Sequence, residues 1–387
     1  MLYMNNLYSG TLKQNNVLVG VLTLCFMLSM LSFQNTTGIM PTLFYFNIYY
    51  FRHLIQGLPF LALVIYMTCN RNSDIYINKK TFYIYILCII LLFFLTFFRT
   101  SINIFDIFRI VVLFPFLFIK QGISFKYSIK YYIWLIIINS VFLSFTQGFF
   151  FFDTSRFIFN SNDPNFSAVY SLLGFMICYK LNYKTQKNIF LLMGILTQSR
   201  NFFLGIIVFY LIKYMSNLSY FSMILKKIKP MFALVIMQIA IILFGFWYIV
   251  NVEPFVGRET LAVNDFSNYI RFTLSTQGVM FLITGSRMAV VDGAGERYWS
   301  KAVGGKGSLD MAGGVHNSFL DLLVTRGLIY GIINIIVIFA IVHRYYTTKN
   351  YKYIYSYLTM SLFLGGLASG PFLLCWVYIL TVKESHN

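Results

Sequence analysis

The run MFALVIMQIAIILFGFWYIV, Met231–Val250, decides the fold. It carries no charged residue over a length that, at 1.5 Å per residue, matches the roughly 30 Å hydrocarbon core of a bilayer. Runs of the same kind recur along the chain, which is 58% apolar and only 11% charged. A soluble domain is nearer half apolar and about a quarter charged. An excess delivered in span-length blocks is not a larger core. The sequence predicts an all-α, polytopic integral membrane protein with about twelve transmembrane helices. Short strands of alternating polarity, the mark of a membrane barrel, are absent from it.

Before Met231 the predicted spans are Val17–Phe33, Leu54–Cys69, Phe82–Phe98, Ile102–Ile119, Tyr131–Phe151 and Phe166–Tyr179. A short pair, Ile189–Gln198 and Phe202–Tyr214, follows and meets at Ser199-Arg200, while the aromatic run Leu43–Phe51 reads as an interfacial piece. After Val250 come a long loop of about Asn251–Val315 and three further spans, Leu328–Val342, Tyr353–Ala368 and Phe372–Val382. The chain thus divides into an N-terminal bundle (1–250), a large outer loop (251–315) and C-terminal spans (316–387). The first run lacks a strongly basic start and a cleavage site, so a retained first helix is expected.

Alternating the loops places eighteen of the 30 basic residues on one side, nearly all of them lysines, including Lys79-Lys80, Lys180 to Lys187 and Lys226 to Lys229. The positive-inside rule makes that side the cytoplasm, with both termini there. The net charge of +18 therefore reports topology, and nucleic acid is not an expected partner. Cys25, Cys69, Cys88, Cys178 and Cys375 lie in or beside apolar runs without metal-ligand spacing, as small buried hydrophobes do.

One stretch breaks the apolar pattern. Thr284–Gly331 reads TGSRMAVVDGAGERYWSKAVGGKGSLDMAGGVHNSFLDLLVTRGLIYG and gathers Arg287, Arg297, Lys301, Lys306, His316 and Arg326 among recurring glycines. Backbone this polar cannot sit in lipid, where each unpaired group costs several kcal/mol. It lies in water or lines a protein-walled cavity. Gly304-Gly305-Lys306-Gly307 lacks the spacing of a phosphate-binding loop, so a nucleotide fold is not expected. His316 opens an amphiphilic segment, HNSFLDLLVTRG. On an unbroken helix Arg326 would stand about 80° around and ~15 Å along from it.

The basic residues outside the lysine-rich side are mostly arginines: Arg52, Arg99, Arg109, Arg156, Arg200, Arg258, Arg271, Arg287, Arg297 and Arg326. Topology alone would not choose arginine over lysine there. The planar guanidinium binds phosphate and carboxylate bidentately, so an anionic ligand on the outer face is one reading. Pairing with outer acids such as Asp163, Glu253 and Asp292 is the other. Arg156 begins the pattern R-x6-D-P-N, in which Asp163-Pro164-Asn165 suits an Asx turn and the N-cap of a helix. Arg200, between two short apolar runs, is a site candidate because an unpaired charge there is costly.

The order of these motifs resembles bacterial O-antigen polymerases of the Wzy type and the related O-antigen ligases. It is carried by R…DPN before a span, the Ser199-Arg200 break, and the arginine- and glycine-rich loop closed by His316-Asn317-Ser318-Phe319-Leu320. The family often has Gly-Arg followed three or four residues on by Trp. Here Arg287 is followed by MAVVD, and Trp299 follows Arg297, so both arginines stand as candidates for that position. The resemblance implies a glycosyltransferase of the bacterial inner membrane, acting on its periplasmic face upon undecaprenyl-diphosphate-linked oligosaccharides. It leaves a chain-length regulator open as a protein partner beside membrane lipid. Arg200, Arg287 and Arg297, with Arg156, would hold the diphosphate; Asn165, Asn317, Lys306 and Arg326 would contact diphosphate or glycan. His316 would act as general base, oriented by Asn317 or a carboxylate. No cofactor or metal is expected, since arginines can neutralise a diphosphate leaving group. A ligase acting on lipid A–core and a lipid-linked oligosaccharide flippase are the alternatives.

Overall fold

The computed structural model describes residues 61, 79–99, 110–117, 128–147, 156–159, 163–251, 266–294, 316–368 and 370–384. The fold is all-α, with no β-strand among the described residues. The helices are α1 (Lys79–Phe98), α2 (Ser128–Gln147), α3 (Pro164–Lys180), α4 (Lys184–Leu196), α5 (Arg200–Asn217) and α6 (Ser219–Lys227). They continue as α7 (Pro230–Asn251), α8 (Phe266–Ile283), α9 (Ser318–Arg326), α10 (Leu328–Arg344), α11 (Tyr351–Phe363) and α12 (Gly370–Thr381). A 3-10 turn occupies Phe114–Leu117 and a π turn Met288–Asp292. The expected runs at Phe82–Phe98, Phe166–Tyr179, Met231–Val250 and Leu328–Val342 fall on α1, α3, α7 and α10. Those at Val17–Phe33, Leu43–Phe51, Leu54–Cys69 and Ile102–Ile119 lie outside the described residues, apart from Leu61 and 110–117. Both chain termini lie outside them too.

The chain forms two compact units: Met1–Phe82, Phe108–Ile207 and Ser369–Asn387 make the first, Tyr83–Ile107 and Val208–Ala368 the second. This division differs from three consecutive blocks, because α12 returns to the first unit after the chain has left it.

In the first unit α3 is the buried centre, with Ser167 through Cys178 all removed from solvent. Its start follows from local chemistry. Asp163 is the N-cap, its carboxylate accepts from the Asn165 N–H at 2.6 Å, and Pro164 opens the first turn, where a missing N–H costs nothing. Helices α3 and α4 form a hairpin across Asn182, which takes a positive φ of 60°. Their approach is set by glycine: a Cβ on Gly174 would sit 2.5 Å from the Phe190 ring. On Gly194 it would meet the fully buried Phe202 ring at 2.1 Å, which lets the end of α4 close upon the start of α5. Helix α12 packs on α3, with Phe372 stacked on Phe166 at 5.9 Å.

Lys180 departs from expectation. Counted with the loop lysines in the sequence, it is buried, and its ammonium donates to the Ile379 carbonyl at 2.7 Å and the Leu380 carbonyl at 3.4 Å. The last carbonyls of a helix lack their full helical partners; that of Ile379 also accepts from the Val382 N–H at 3.3 Å, and a lysine stem long enough to bury itself adds its ammonium there.

The second unit is built on a cluster of Leu274, Phe281, Ala289, Ala294, Leu320 and Val324 that joins α8, the π turn and α9. Helix α8 corrects the expected loop at 251–315. Residues 266–283 form eighteen residues of helix, with Leu274, Gly278 and Phe281 buried along one face. Interspersed serine, threonine and glutamine dilute its hydropathy and hide it from a span-length reading. Helix α7 is, among the described residues, the one helix long and apolar enough to cross a membrane by itself, over Pro230–Tyr248. Helices α5 and α6 satisfy that test only as a pair, bent by 112°. Just 11% of the apolar stretch of α7 is buried, so it is not a core helix; Phe232 and Leu243 are 61% and 63% exposed.

Gly194→Ala is expected to destabilise the first unit by about 1–3 kcal/mol through overpacking against Phe202. Thermal unfolding in detergent checks this, and adding Phe202→Leu should recover part of the loss.

Candidate functional site

The sequence-selected residues fall into two sets, one in each unit. The first set forms where 156–159 runs beside the α4–α5 break. Thr197 is the C-cap of α4, Gln198 takes a positive φ of 50°, and Arg200 starts α5, so the expected interruption at Ser199-Arg200 is a real change of helix. The Phe157 N–H donates to the Leu196 carbonyl at 3.0 Å and ties the preceding strand of chain to the end of α4. Asn165, in the first turn of α3, then acts as a hub. Its side-chain oxygen accepts from the Arg156 Nη2 at 3.3 Å and from the Ser199 hydroxyl at 3.0 Å. Arg156 Nε donates to the Thr197 carbonyl at 3.2 Å. Ser199 is fully buried, so this bond is the one that keeps its hydroxyl satisfied at the break.

Arg156 is half-buried and Arg200 exposed. Burial lowers the Arg156 pKa, the Asp163 carboxylate opposes that, and the positive charge of Arg200 adds to it. Arginine remains charged under such shifts. Two guanidinium groups are therefore within electrostatic reach of each other. The nearby carboxylate, Asp163, is already engaged in capping α3. With two guanidinium groups and one carboxylate the set carries a net positive charge, and Arg156 is the member held by hydrogen bonds.

The second set surrounds the π turn. Arg287 precedes it, with a side chain 69% exposed, its Nη2 donating to the Phe98 carbonyl at 2.9 Å and its Nε 3.7 Å from the Asp292 carboxylate. Arg99 donates to the Asp292 carbonyl at 2.7 Å, and its guanidinium lies 5.1 Å over the Tyr330 ring. Both arginines thus bind the end of α1 to the turn. Gly293 (φ 77°) and Gly327 (φ 87°) cross at the close of the turn. A Cβ on Gly293 would stand 2.4 Å from the Thr325 carbonyl oxygen, and one on Gly327 2.7 Å from that of Val291. The Ala294 N–H donates to the Val324 carbonyl at 2.9 Å across this crossing. Only glycine meets both demands, a left-handed φ and backbone against backbone.

His316 stands partly exposed just before Asn317, the N-cap of α9. It is therefore outside the helix, and the rotational offset expected between His316 and Arg326 does not apply. Asn317 is committed elsewhere than to orienting His316. Its amide exchanges two hydrogen bonds with Gln238 of α7, at 2.7 and 2.8 Å, and its oxygen accepts from the Leu320 N–H at 3.1 Å. Ser318 donates to the Leu364 carbonyl and accepts from the Leu367 N–H at 2.7 Å. The Asn-Ser pair of the motif pins α9 to α7 and to the segment after α11. Arg326, expected against a ligand, is buried at 7% exposure in the last turn of α9, where a cation suits the helix dipole. Arg297 and Lys306 lie outside the described residues. Among the described residues no three His, Cys, Asp or Glu side chains gather as a metal site would require.

Three participants were not singled out by sequence reasoning. Gln238 had a signal, as the polar amide inside an apolar run, where such groups serve as interhelical glue. Arg99 was counted among the outer arginines and given no role. Ser199 appeared as half of the break, and nothing in the sequence pointed to its bond with Asn165. Compared with family models, curated proteins and solved structures, the chain matches none.

Gln238→Leu and Asn317→Leu should each lower stability by about 1–3 kcal/mol by leaving one amide unpaired, and the double variant by less than their sum. Unfolding of the four proteins in one detergent checks the coupling.

Proposed function

We propose that the chain is an inner-membrane glycosyltransferase of the O-antigen polymerase type. In this reading it joins undecaprenyl-diphosphate-linked oligosaccharide repeat units on the periplasmic face. The observation that carries it is the arginine pair at the α4–α5 break, Arg156 held by Asn165 and Thr197 with the exposed Arg200 in electrostatic reach of it. A guanidinium fixed in advance beside a second one suits a diphosphate, whose negative charge grows as it leaves. The motif order R…DPN, Ser-Arg and His-Asn-Ser-Phe-Leu supports the same assignment.

The membrane setting and a topology of about twelve spans belong to this proposal. They are supported by the apolar runs of the sequence and by the outward faces of α1 and α7. Phe94 and Phe97 on α1, and Ile239 and Trp247 on α7, are each more than half exposed. Apolar surface on this scale marks contact with lipid or another apolar phase.

In the reaction proposed, an acceptor hydroxyl attacks the anomeric carbon of the lipid-linked donor. The new glycosidic bond forms as the bond to the diphosphate breaks. Arg156 and Arg200, in the first unit, are the proposed partners of the departing diphosphate. The motif order alone keeps His316 as the candidate base for the hydroxyl proton and Arg287 and Arg297 as further candidate guanidinium donors. Asn317 exchanges two hydrogen bonds with Gln238.

The test is the lipopolysaccharide ladder of cells deleted for the gene and complemented with Arg200→Ala, Arg156→Ala or His316→Ala. Each is expected to reduce polymer by at least about 100-fold, leaving core plus a single repeat, at normal membrane levels of protein. Loss of all O-antigen on core, with lipid-linked polymer accumulating, would instead identify a ligase. Accumulation of short lipid-linked units alone would identify a flippase.

A further inference from the structure

Within the second unit the corner between α5 and α7 gathers exposed lysines, tyrosines and a methionine. Helix α6 leaves α5 at 112°, turning from the direction of an apolar helix to one across it. It is nine residues, SYFSMILKK, with Lys226 and Lys227 in its last turn and Lys229 two residues on. All three lysines are exposed, as are Tyr214 (67%), Tyr220 (66%) and Met223 (52%). No Asp or Glu occurs between Asp163 and Glu253, so no acid is close to these lysines in sequence.

The other side of α6 is fixed. Leu225 packs with Tyr351 and Tyr355. The Tyr346 hydroxyl lies within hydrogen-bond distance of the Leu225 and Ile228 carbonyls, at 2.5 and 2.6 Å, sharing its single proton between them, and of the Tyr355 hydroxyl at 2.9 Å. The helix is thus held in its crosswise direction, and the carbonyls at its end have partners. What it turns outward is lysine, tyrosine and methionine together. Beyond Lys229 the apolar outer face of α7 begins at Met231 and Phe232, 41% and 61% exposed.

We infer that this corner is a docking surface for the headgroups of anionic phospholipid. The order along the chain, basic residues at a crosswise amphipathic turn followed at once by lipid-length apolar surface, places ammonium groups at headgroup depth. Lysine stems and tyrosine rings tolerate that boundary, where one end is apolar and the other wet. The occupant is chosen by charge: three unpaired-by-sequence cations facing outward attract an anionic surface, on the order of fivefold per lysine. The inference rests on the membrane reading above for the direction of α7, and it concerns α6 itself.

The test uses the full chain in nanodiscs, with Cys25 and Cys69 replaced by serine and a nitroxide on Met223→Cys or, separately, on Ile239→Cys of α7. Collision rates with oxygen and with a neutral nickel chelate report depth. Two bilayers are compared, phosphatidylcholine alone and with about 30% phosphatidylglycerol. The expected result is an Ile239 label in hydrocarbon in both bilayers. The Met223 label should sit at headgroup depth, its nickel accessibility falling at least twofold when the anionic lipid is present. Replacing Lys226, Lys227 and Lys229 together by glutamine should abolish that fall. A Met223 label equally water-exposed in both bilayers, with Ile239 in hydrocarbon, would overturn the inference and leave the membrane reading standing. An Ile239 label open to nickel would overturn both.

Discussion

The side-chain oxygen of Asn165 accepts two hydrogen bonds, and the arrangement of the first set follows from it. One comes from Arg156, the other from Ser199 at a fully buried position. A guanidinium drawn out of water and a hydroxyl cut off from it both need partners, and one amide oxygen serves the two. Asn165 can do so because Asp163 caps α3 and fixes the first turn on which Asn165 sits. The charge of Arg156 is thereby held within electrostatic reach of the exposed Arg200. An anion bound between two such like charges would relieve their repulsion.

The second unit reaches rigidity by another route. Gly293 and Gly327 bring the end of the π turn against the α9–α10 junction so closely that a methyl group on either would strike backbone. Arg99 and Arg287 then fasten the end of α1 to the same turn through carbonyl acceptors. Gln238 and Asn317 close the remaining side by a reciprocal amide pair, the arrangement that leaves neither amide unsatisfied in an apolar setting. These bonds are structural in kind. They leave His316 at the mouth of α9 and Arg287 largely exposed as the members of the sequence motif that face outward.

Much of this was legible where the signal is local. Asp163-Pro164-Asn165 announces a helix start from its own chemistry, and Ser199-Arg200 announces a break because neither flanking run is long enough to continue. The all-α class followed from apolar run lengths for the same reason. What was missed depends on partners distant in sequence. Nothing near Asn317 shows that Gln238, 79 residues earlier, takes its amide. Nothing near Lys180 shows that carbonyls of α12, about 200 residues on, take its ammonium. Helix α8 escaped because its burial is one-sided, so its mean composition is that of a loop while its face is that of a core helix. Arg326 looked like its fellow arginines and proved buried, a difference of packing that residue type does not encode.

The most direct measurement is turnover of a radiolabelled undecaprenyl-diphosphate-linked repeat unit by the purified chain in bilayers, wild type beside Arg200→Ala. The account predicts that the wild type lengthens the lipid-linked glycan and releases undecaprenyl diphosphate in equal measure. Arg200→Ala should still fold and yet lose both products. Folded wild-type protein that forms neither, or Arg200→Ala that forms both at the wild-type rate, would contradict it.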